Sequence, residues 1–362
     1  MKKRLLRPPR NDGEIIVVPD PVKFFGRVTG AHRIGVAHQP YFFHPGIAVK
    51  FLVLEAAPRG KKQIVFLDTD MVRIGVKIPG CVSPCSPECD HRASRDAARP
   101  WSGGAEPRAV EFITTDRLLH DYPAPSEDSF GEFFGRIEAA LEGASQRGFE
   151  KCRSEFLAFK EIIMMKTGKK LLREILAESF IEYYGLRMPH HFLSEVLRGE
   201  EFHDLFSRIY VDQKRFRDVF NAALDEYREE FRFRYRNFPF PRLGEDELPF
   251  WVVRDGLRAR CFKKDVDAAG VENLIIFPRA ATLTLFLRLY RLDFFIHGVG
   301  GWNYEWVQDR IIERFFKETP PPCAAASGTF LLDHLAEREF PYFLFSPREI
   351  RQRVREFMSH VP

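Results

Sequence analysis

Five side chains in this sequence have the type and setting for proton transfer or ion binding: His38, His44, Asp68, Asp70 and His297. Four of them fall in residues 32–70, HRIGVAHQPYFFHPGIAVKFLVLEAAPRGKKQIVFLDTD. An imidazole there can move a proton near neutral pH or donate to a phosphate. The two aspartates can hold Mg²⁺ or orient an amine or hydroxyl. Behind Pro45 the N–H groups of Gly46, Ile47 and Ala48 belong to a helix start, which suits an anion and above all a phosphate. Gly46 lets a ligand approach the backbone closely. The plainer alternative is that His44 caps the helix and the aspartates cap loops. Several polar groups converging where this architecture binds ligands favours a site.

The elements that position these residues follow from the pattern. Residues 33–37 are short, apolar and β-tolerant, and His38-Gln39-Pro40 stops them. Pro45 fits a first helical turn, and residues 47–57 are apolar nearly all round, which predicts a well-buried helix. Residues 63–67 read as a parallel strand covered on both faces, with Asp68 and Asp70 at its end. This is a βαβ unit with polar residues at the carboxyl ends of its strands, where open α/β sheets bind ligands. A second stretch repeats the logic. Residues 274–277 are a short strand, Pro278-Arg279 opens a helix to about residue 292, and residues 294–296 are a buried strand. That strand ends in His297-Gly298-Val299-Gly300-Gly301, and a helix over 303–316 follows. Gly298, Gly300 and Gly301 can expose N–H groups to a phosphate or carboxylate, although the run is not the dinucleotide fingerprint. The natural arrangement sets the two histidine-ended strands side by side in one sheet.

The fold class expected is therefore α/β: a Rossmann-like parallel sheet core built from both chain ends, with a large helical insertion. At 362 residues the chain divides into 1–128, the first half of the core; 129–238, the insertion; and 239–362, the second half. The insertion carries apolar residues at three- and four-residue spacing, such as Phe133, Phe134, Ile137 and Leu141. It reads as about five helices whose surface forms one wall of the cleft. Residues 14–18 read as a strand leading into the first unit, and 72–79 as an extended segment. Residues 92–128 read as a surface excursion with one strand near 109–113. Residues 250–262 signal a hairpin around Asp255-Gly256, and 347–358 a terminal helix.

Composition narrows the function classes. Hydrophobic residues make up 45% and charged residues 29%, as in a soluble globular protein, and the net charge of +4 does not by itself imply nucleic acid. Thirty-six phenylalanines imply thick aromatic cores and leave room for a buried interface in a homo-oligomer. No apolar run is long enough for a bilayer. The basic start MKKRLLRPPR lacks a signal-peptide apolar core, so the expected location is cytoplasmic, without disulfides. Cys81, Cys85, Cys89 and His91 have spacings used by structural zinc sites, but a second, well-separated ligand pair is missing; a Pro-rich loop with free thiols is the alternative to Zn²⁺. In residues 231–240, FRFRYRNFPF alternates Arg with aromatics, as a single-stranded nucleic-acid platform would. An extended helix exit is preferred, since one decapeptide is a small footprint. His190-His191 lacks a ligand partner nearby in sequence and reads as structural.

The segments HQPYFFHPG, IVFLDTD and PRAATLTLFLRLYRLDFFIHGVGGWNYEWVQDRIIERFF resemble a group of bacterial proteins that in turn look related to the bacillithiol biosynthesis cysteine-adding enzyme, BshC. The resemblance covers about the first 80 residues and residues 275–316. The elbow after that family's first strand resembles His38 to Gly46, and its acidic strand end resembles Asp68 to Asp70. An Arg-Pro element and a later Gly-rich loop with a tyrosine resemble Arg279 and Gly298 to Tyr304. The resemblance implies a Rossmann-like core similar to nucleotidylyltransferases and a ligase or transferase joining cysteine, or a similar amino acid or amine, to a sugar-type acceptor. The chain departs from the family in lacking a long coiled coil. His-Pro-Gly also resembles the His-x-Gly-His of nucleotidylyltransferases, but Ile47 replaces the last histidine.

On this reading His38, His44, Asp68, Asp70 and His297 are the catalytic candidates. Gln39, Gly46, Lys50, Arg279, Gly298, Gly300, Gly301, Asn303 and Tyr304 are the candidates for holding a cofactor, ATP or another nucleotide with Mg²⁺. The partner is a small-molecule substrate. The alternative is a non-catalytic binding or scaffold protein that keeps the Rossmann-like fold.

Overall fold

Short apolar strands alternating with helices assemble in chain order as follows. The first half holds β1 (Ile15–Val18), β2 (Arg33–His38), α1 (Pro45–Ala56), β3 (Lys61–Phe66), β4 (Met71–Ile78) and β5 (Arg108–Leu118). Next come α2 (Glu127–Glu142), α3 (Phe149–Met164), α4 (Leu172–Tyr184), β6 (His190–Phe192), α5 (Leu193–Val196), α6 (Glu200–Val211) and α7 (Gln213–Glu230). The last part holds β7 (Glu247–Arg254), β8 (Leu257–Phe262), α8 (Lys263–Ala269), β9 (Ile275–Pro278), α9 (Ala280–Phe286), β10 (Phe294–His297), α10 (Val299–Trp302), α11 (Glu305–Ile311), β11 (Cys323–Gly328) and α12 (Pro347–Ser359). The α9 and α11 helices each run on into a π turn, Leu287–Arg291 and Ile312–Phe316. The structure, a computed structural model, describes residues 15–18, 28, 30–41, 45–57, 60–78, 108–142, 149–232, 239–328 and 347–359.

The main sheet has the order β1-β11-β10-β2-β3-β6. Five strands, β11 through β6, are parallel, and β1 lies antiparallel at the edge beside β11. This is a Rossmann-like α/β fold. Side chains alternate between its two faces. Ile34, Val36, Ile64, Phe66, Phe294 and Ile296 share a core with α1, α4 and α12. Val65, Phe295, Cys323 and Ala325 share the opposite core with α6, α7, α9 and α11. The apolar α1 is buried as its pattern predicts, with Val49, Phe51, Val53 and Leu54 wholly shielded.

The chain leaves β2 for β3 on one side, and leaves β10 for β11 on the other. The two strands are neighbours, paired Phe294 with Ile34, Phe295 with Gly35 and Ile296 with Val36. Their carboxyl ends therefore form the switch point at which open sheets bind ligands. Both strands end in a histidine, side by side as the sequence implies.

Three expectations need correction. The β1 strand does not feed into β2; it closes the far edge of the sheet against β11. The 129–238 segment, read as a helical insertion, is mostly helical but also supplies an edge strand to the core, because β6 pairs with β3. The β7–β8 hairpin forms on its Asp255-Gly256 turn, both residues having positive φ (52° and 77°) as a type I′ turn requires. However, β9 joins that hairpin in a separate sheet of order β8-β7-β9 and not the main one.

Asp68 is also corrected: it is structural. Its carboxylate is wholly buried and accepts from Ser194 N at 2.9 Å, Ser194 Oγ at 2.5 Å and Arg173 at 2.6 Å. Arg173 lies over the Phe192 ring and also pairs with Glu195 at 2.9 Å. The end of β3 is thus tied to α4 and to the start of α5. Asp68→Ala leaves the partly buried Arg173 without this partner and strands the Ser194 donors. Urea unfolding is expected to show a loss of about 3–5 kcal/mol; a loss below about 1 kcal/mol would refute this role.

Candidate functional site

A cleft of about 430 Å³ opens at the carboxyl ends of β2 and β10. His38, Gln39, Lys50 and Asp70 line it from the first half of the chain, and His297, Gly298, Gly300, Gly301 and Tyr304 from the second. None of the described residues of 129–238 lines it, contrary to the expected helical wall. The far wall is instead the β7–β8 hairpin, through Trp251 and Arg258.

The most buried part is built on His297. The polar end of β10 places its ring so that Nε2 lies 2.6 Å from Glu305 Oε1, at the start of α11. Glu305 is wholly buried, and its other oxygen pairs with the equally buried Arg288 in the π turn after α9. Arg288 also reaches Asp309 at 2.8 Å and donates to the Pro321 carbonyl. The ring of His297 lies against the backbone of Gly301, where any Cβ would collide with the imidazole. Gly301 therefore seats the histidine. At Gly298 and Gly300 a Cβ would meet nothing within 4 Å, so the cleft is open over them.

Lys50 projects from α1 to the end of β2. It is 3% exposed, and Nζ donates to the Ala37 carbonyl at 2.8 Å. No carboxylate pairs with it among the described residues. Burial without a counter-charge brings its pKa down to about 7. Burial likewise holds His38 well below its usual range, with the Lys50 charge adding to the effect. His297 is lowered mainly by burial, against the opposing pull of Glu305. Three nitrogen bases around one cavity thus bind protons less readily than usual, a pattern associated with functional sites.

Asp70 supplies the acidic side. It accepts from Gln39 Nε2 at 2.7 Å and from Arg258 at 2.6 Å. The Arg258 guanidinium lies over the Trp251 ring at 5.1 Å. Arg279 lies over the same ring at 4.8 Å and donates to the buried Glu247 at 2.7 Å. Arg279 is thereby held as a support for Trp251, rather than presented to a cofactor. Asn303 ends α10 and does not line the cleft. Gly46 lies in the first turn of α1. His44, Cys81, Cys85, Cys89 and His91 lie outside the described residues, as do Arg234 and Arg236.

Mg²⁺ does not fit the aspartate pair, because Asp68 and Asp70 engage different partners and each is neutralised by an arginine. No group of three His, Cys, Asp or Glu residues suited to a metal occurs among the described residues. No helix among them is long and apolar enough to cross a membrane. Sequence reasoning missed Arg288, Glu305, Trp251 and Arg258. An arginine inside the apolar run LFLRLYRL was the available signal, since a buried guanidinium requires an acid. No protein-family model matches the chain, and no curated protein matches it significantly.

Two outcomes follow from the depressed histidines. The unfolded state takes up protons below pH 6.5 that folded His38 and His297 resist. The contribution of the two histidines to stability is therefore full above that pH and falls as pH drops toward the folded values, by up to about 1.4 kcal/mol per pH unit for each histidine. Urea titrations across pH check this, and His297→Gln is expected to flatten the slope; a pH-independent midpoint through this window would contradict it. Gly301→Ala is expected to displace the imidazole at a cost of about 1–3 kcal/mol, whereas Gly300→Ala, with open space around it, costs less in the same unfolding assay.

Proposed function

We propose that this cleft is the active site of a ligase or transferase that joins an amine or amino acid to a small sugar-type acceptor, in the manner of the BshC-like family the sequence resembles. The observation that supports the reading best is the convergence of His38, Lys50 and His297, all shifted toward their neutral forms, at the switch point of the sheet. Joining an amine to a carbonyl carbon requires the attacking nitrogen to lose a proton and the departing oxygen to gain one. His297 suits the first task. Its imidazole is unprotonated at neutral pH, and Glu305 at 2.6 Å stabilises the imidazolium that forms when it accepts the proton. The imidazolium so formed carries that proton to the departing oxygen, while His38, neutral on the neighbouring strand end, offers a second base.

Asp70, aligned by Gln39 and Arg258, offers a carboxylate to a substrate ammonium or hydroxyl. Trp251, fixed by Arg258 and Arg279, offers an apolar face to a sugar ring. ATP or another nucleotide would activate the carboxylate that the amine attacks, and the open backbone at Gly298 and Gly300 would hold its phosphates. We place the reaction in the cytoplasm, in keeping with the buried thiols Cys261 and Cys323, which form no disulfide among the described residues.

The scaffold alternative calls for a broad Phe-rich exposed patch. Among the described residues, the exposed large apolar side chains are Leu157, Met165, Val211, Leu257, Val271 and Ile275, none of them aromatic. This favours the enzyme.

The test is to incubate the protein with cysteine, an amino sugar and ATP-Mg²⁺, and to follow products by mass spectrometry. The expected product has the combined mass of the two substrates less water. His297→Ala is expected to slow its formation by about 10²–10⁴-fold. No product across a panel of amino acids and amines, or full turnover by a folded His297→Ala protein, would overturn the proposal.

A further inference from the structure

Lys50 is an unusual residue for its position. It lies in the middle of a helix apolar nearly all round, flanked by the wholly buried Val49 and Phe51. Structural lysines commonly keep the ammonium in solvent or pair it with an acid. Lys50 does neither among the described residues. Its one hydrogen bond goes to the Ala37 carbonyl, and it lines the cleft between two strands that end in histidine. A methionine of similar length would fill the same space without dehydrating an amine. A buried amine near apolar groups, reachable from a cavity and without a counter-charge, has the setting of a nucleophilic lysine.

We propose that Lys50 is a covalent site: its Nζ attacks the carbonyl carbon of an aldehyde or ketone, such as an open-chain reducing sugar, and holds it as an imine. The inference rests on reading the cleft as an active site, and it narrows the acceptor to a carbonyl compound. The Nζ lone pair forms the new C–N bond while the C=O π pair moves to oxygen, which takes up a proton to give a carbinolamine. Nitrogen then gives up one proton, the hydroxyl leaves as water after gaining a second proton while the nitrogen lone pair forms the C=N bond, and nitrogen releases its last proton to give the imine. The balance is one amine plus one carbonyl giving one imine plus water, and neither oxidant nor reductant is consumed. His297, backed by Glu305, and His38 line the same cleft and can pass the protons. The low proton affinity of the amine keeps a large share of it nucleophilic near neutral pH.

The test is reductive trapping. The full chain is treated near neutral pH with glyceraldehyde and cyanoborohydride, which reduces an imine to a stable secondary amine, and labelled lysines are located by peptide mass mapping. Lys61, exposed at the start of β3, serves as the internal reference. Lys50 is expected to label at least about tenfold faster than Lys61, the equivalent of one unit of proton affinity. Lys50→Arg, which keeps a cation but cannot form the imine, is expected to lose that label and retain the others. Labelling of Lys50 no faster than Lys61 would overturn the inference. In that event, product formation from cysteine and an amino sugar by the same preparation would show that the active-site reading survives without the covalent step; absence of that product as well would remove both.

Discussion

The buried ion pair between Arg288 and Glu305 is the interaction on which the site depends. Both side chains are almost wholly removed from water, so each would be costly alone. Together they hold four parts of the chain in one place. Arg288 belongs to the π turn after α9, Glu305 and Asp309 to α11, and the Pro321 carbonyl to the lead-in of β11. The remaining oxygen of Glu305 is then fixed against His297 at the end of β10. π turns recur at functional sites, and here the widened turn carries the arginine that fixes the acid behind the imidazole.

From that anchor the rest of the cleft follows by sheet geometry. Because β2 and β10 are adjacent and their connections diverge, a gap opens beyond His38 and His297 that neither crossover fills. The apolar α1 covers one face of the sheet and brings the amine of Lys50 to the Ala37 carbonyl. The β7–β8 hairpin supplies Trp251 and Arg258, and Arg258 orients Asp70. The cost of burying these bases falls on stability, and the return is a set of groups able to exchange protons near neutral pH. Such local conflict between stability and chemistry is what a functional site imposes on a fold.

Much of this arrangement is legible in the sequence. The βαβ unit, the all-round apolar α1, the two histidine-ended strands and the Asp255-Gly256 hairpin all rest on short-range chemistry: period, proline position and turn residues. What escapes depends on contacts distant in sequence. The three-residue β6 is marked as a strand only by pairing with β3, since it lies within a long run of helical periodicity. Asp68 and Asp70 look equivalent, but the chain leaves the strand after Phe66. One carboxylate turns inward to Ser194 and Arg173, and the other meets Gln39 and Arg258. Gly301 resembles its neighbours Gly298 and Gly300, yet it alone of the three is required by the ring of His297. The need of Arg288 for an acid is readable, but the identity of that acid, 17 residues on, is not.

The account's central claim is that the cleft holds its bases neutral for proton transfer. A site-resolved NMR titration of protein labelled with ¹⁵N-histidine, with His38→Gln and His297→Gln used for assignment, tests it most directly. The account predicts that His38 and His297 both stay neutral as pH falls through 6.5, where free imidazole added to the same sample gains its proton. If His38 and His297 gained their protons together with the free imidazole, the cleft would be an ordinary hydrated surface and the account would be wrong.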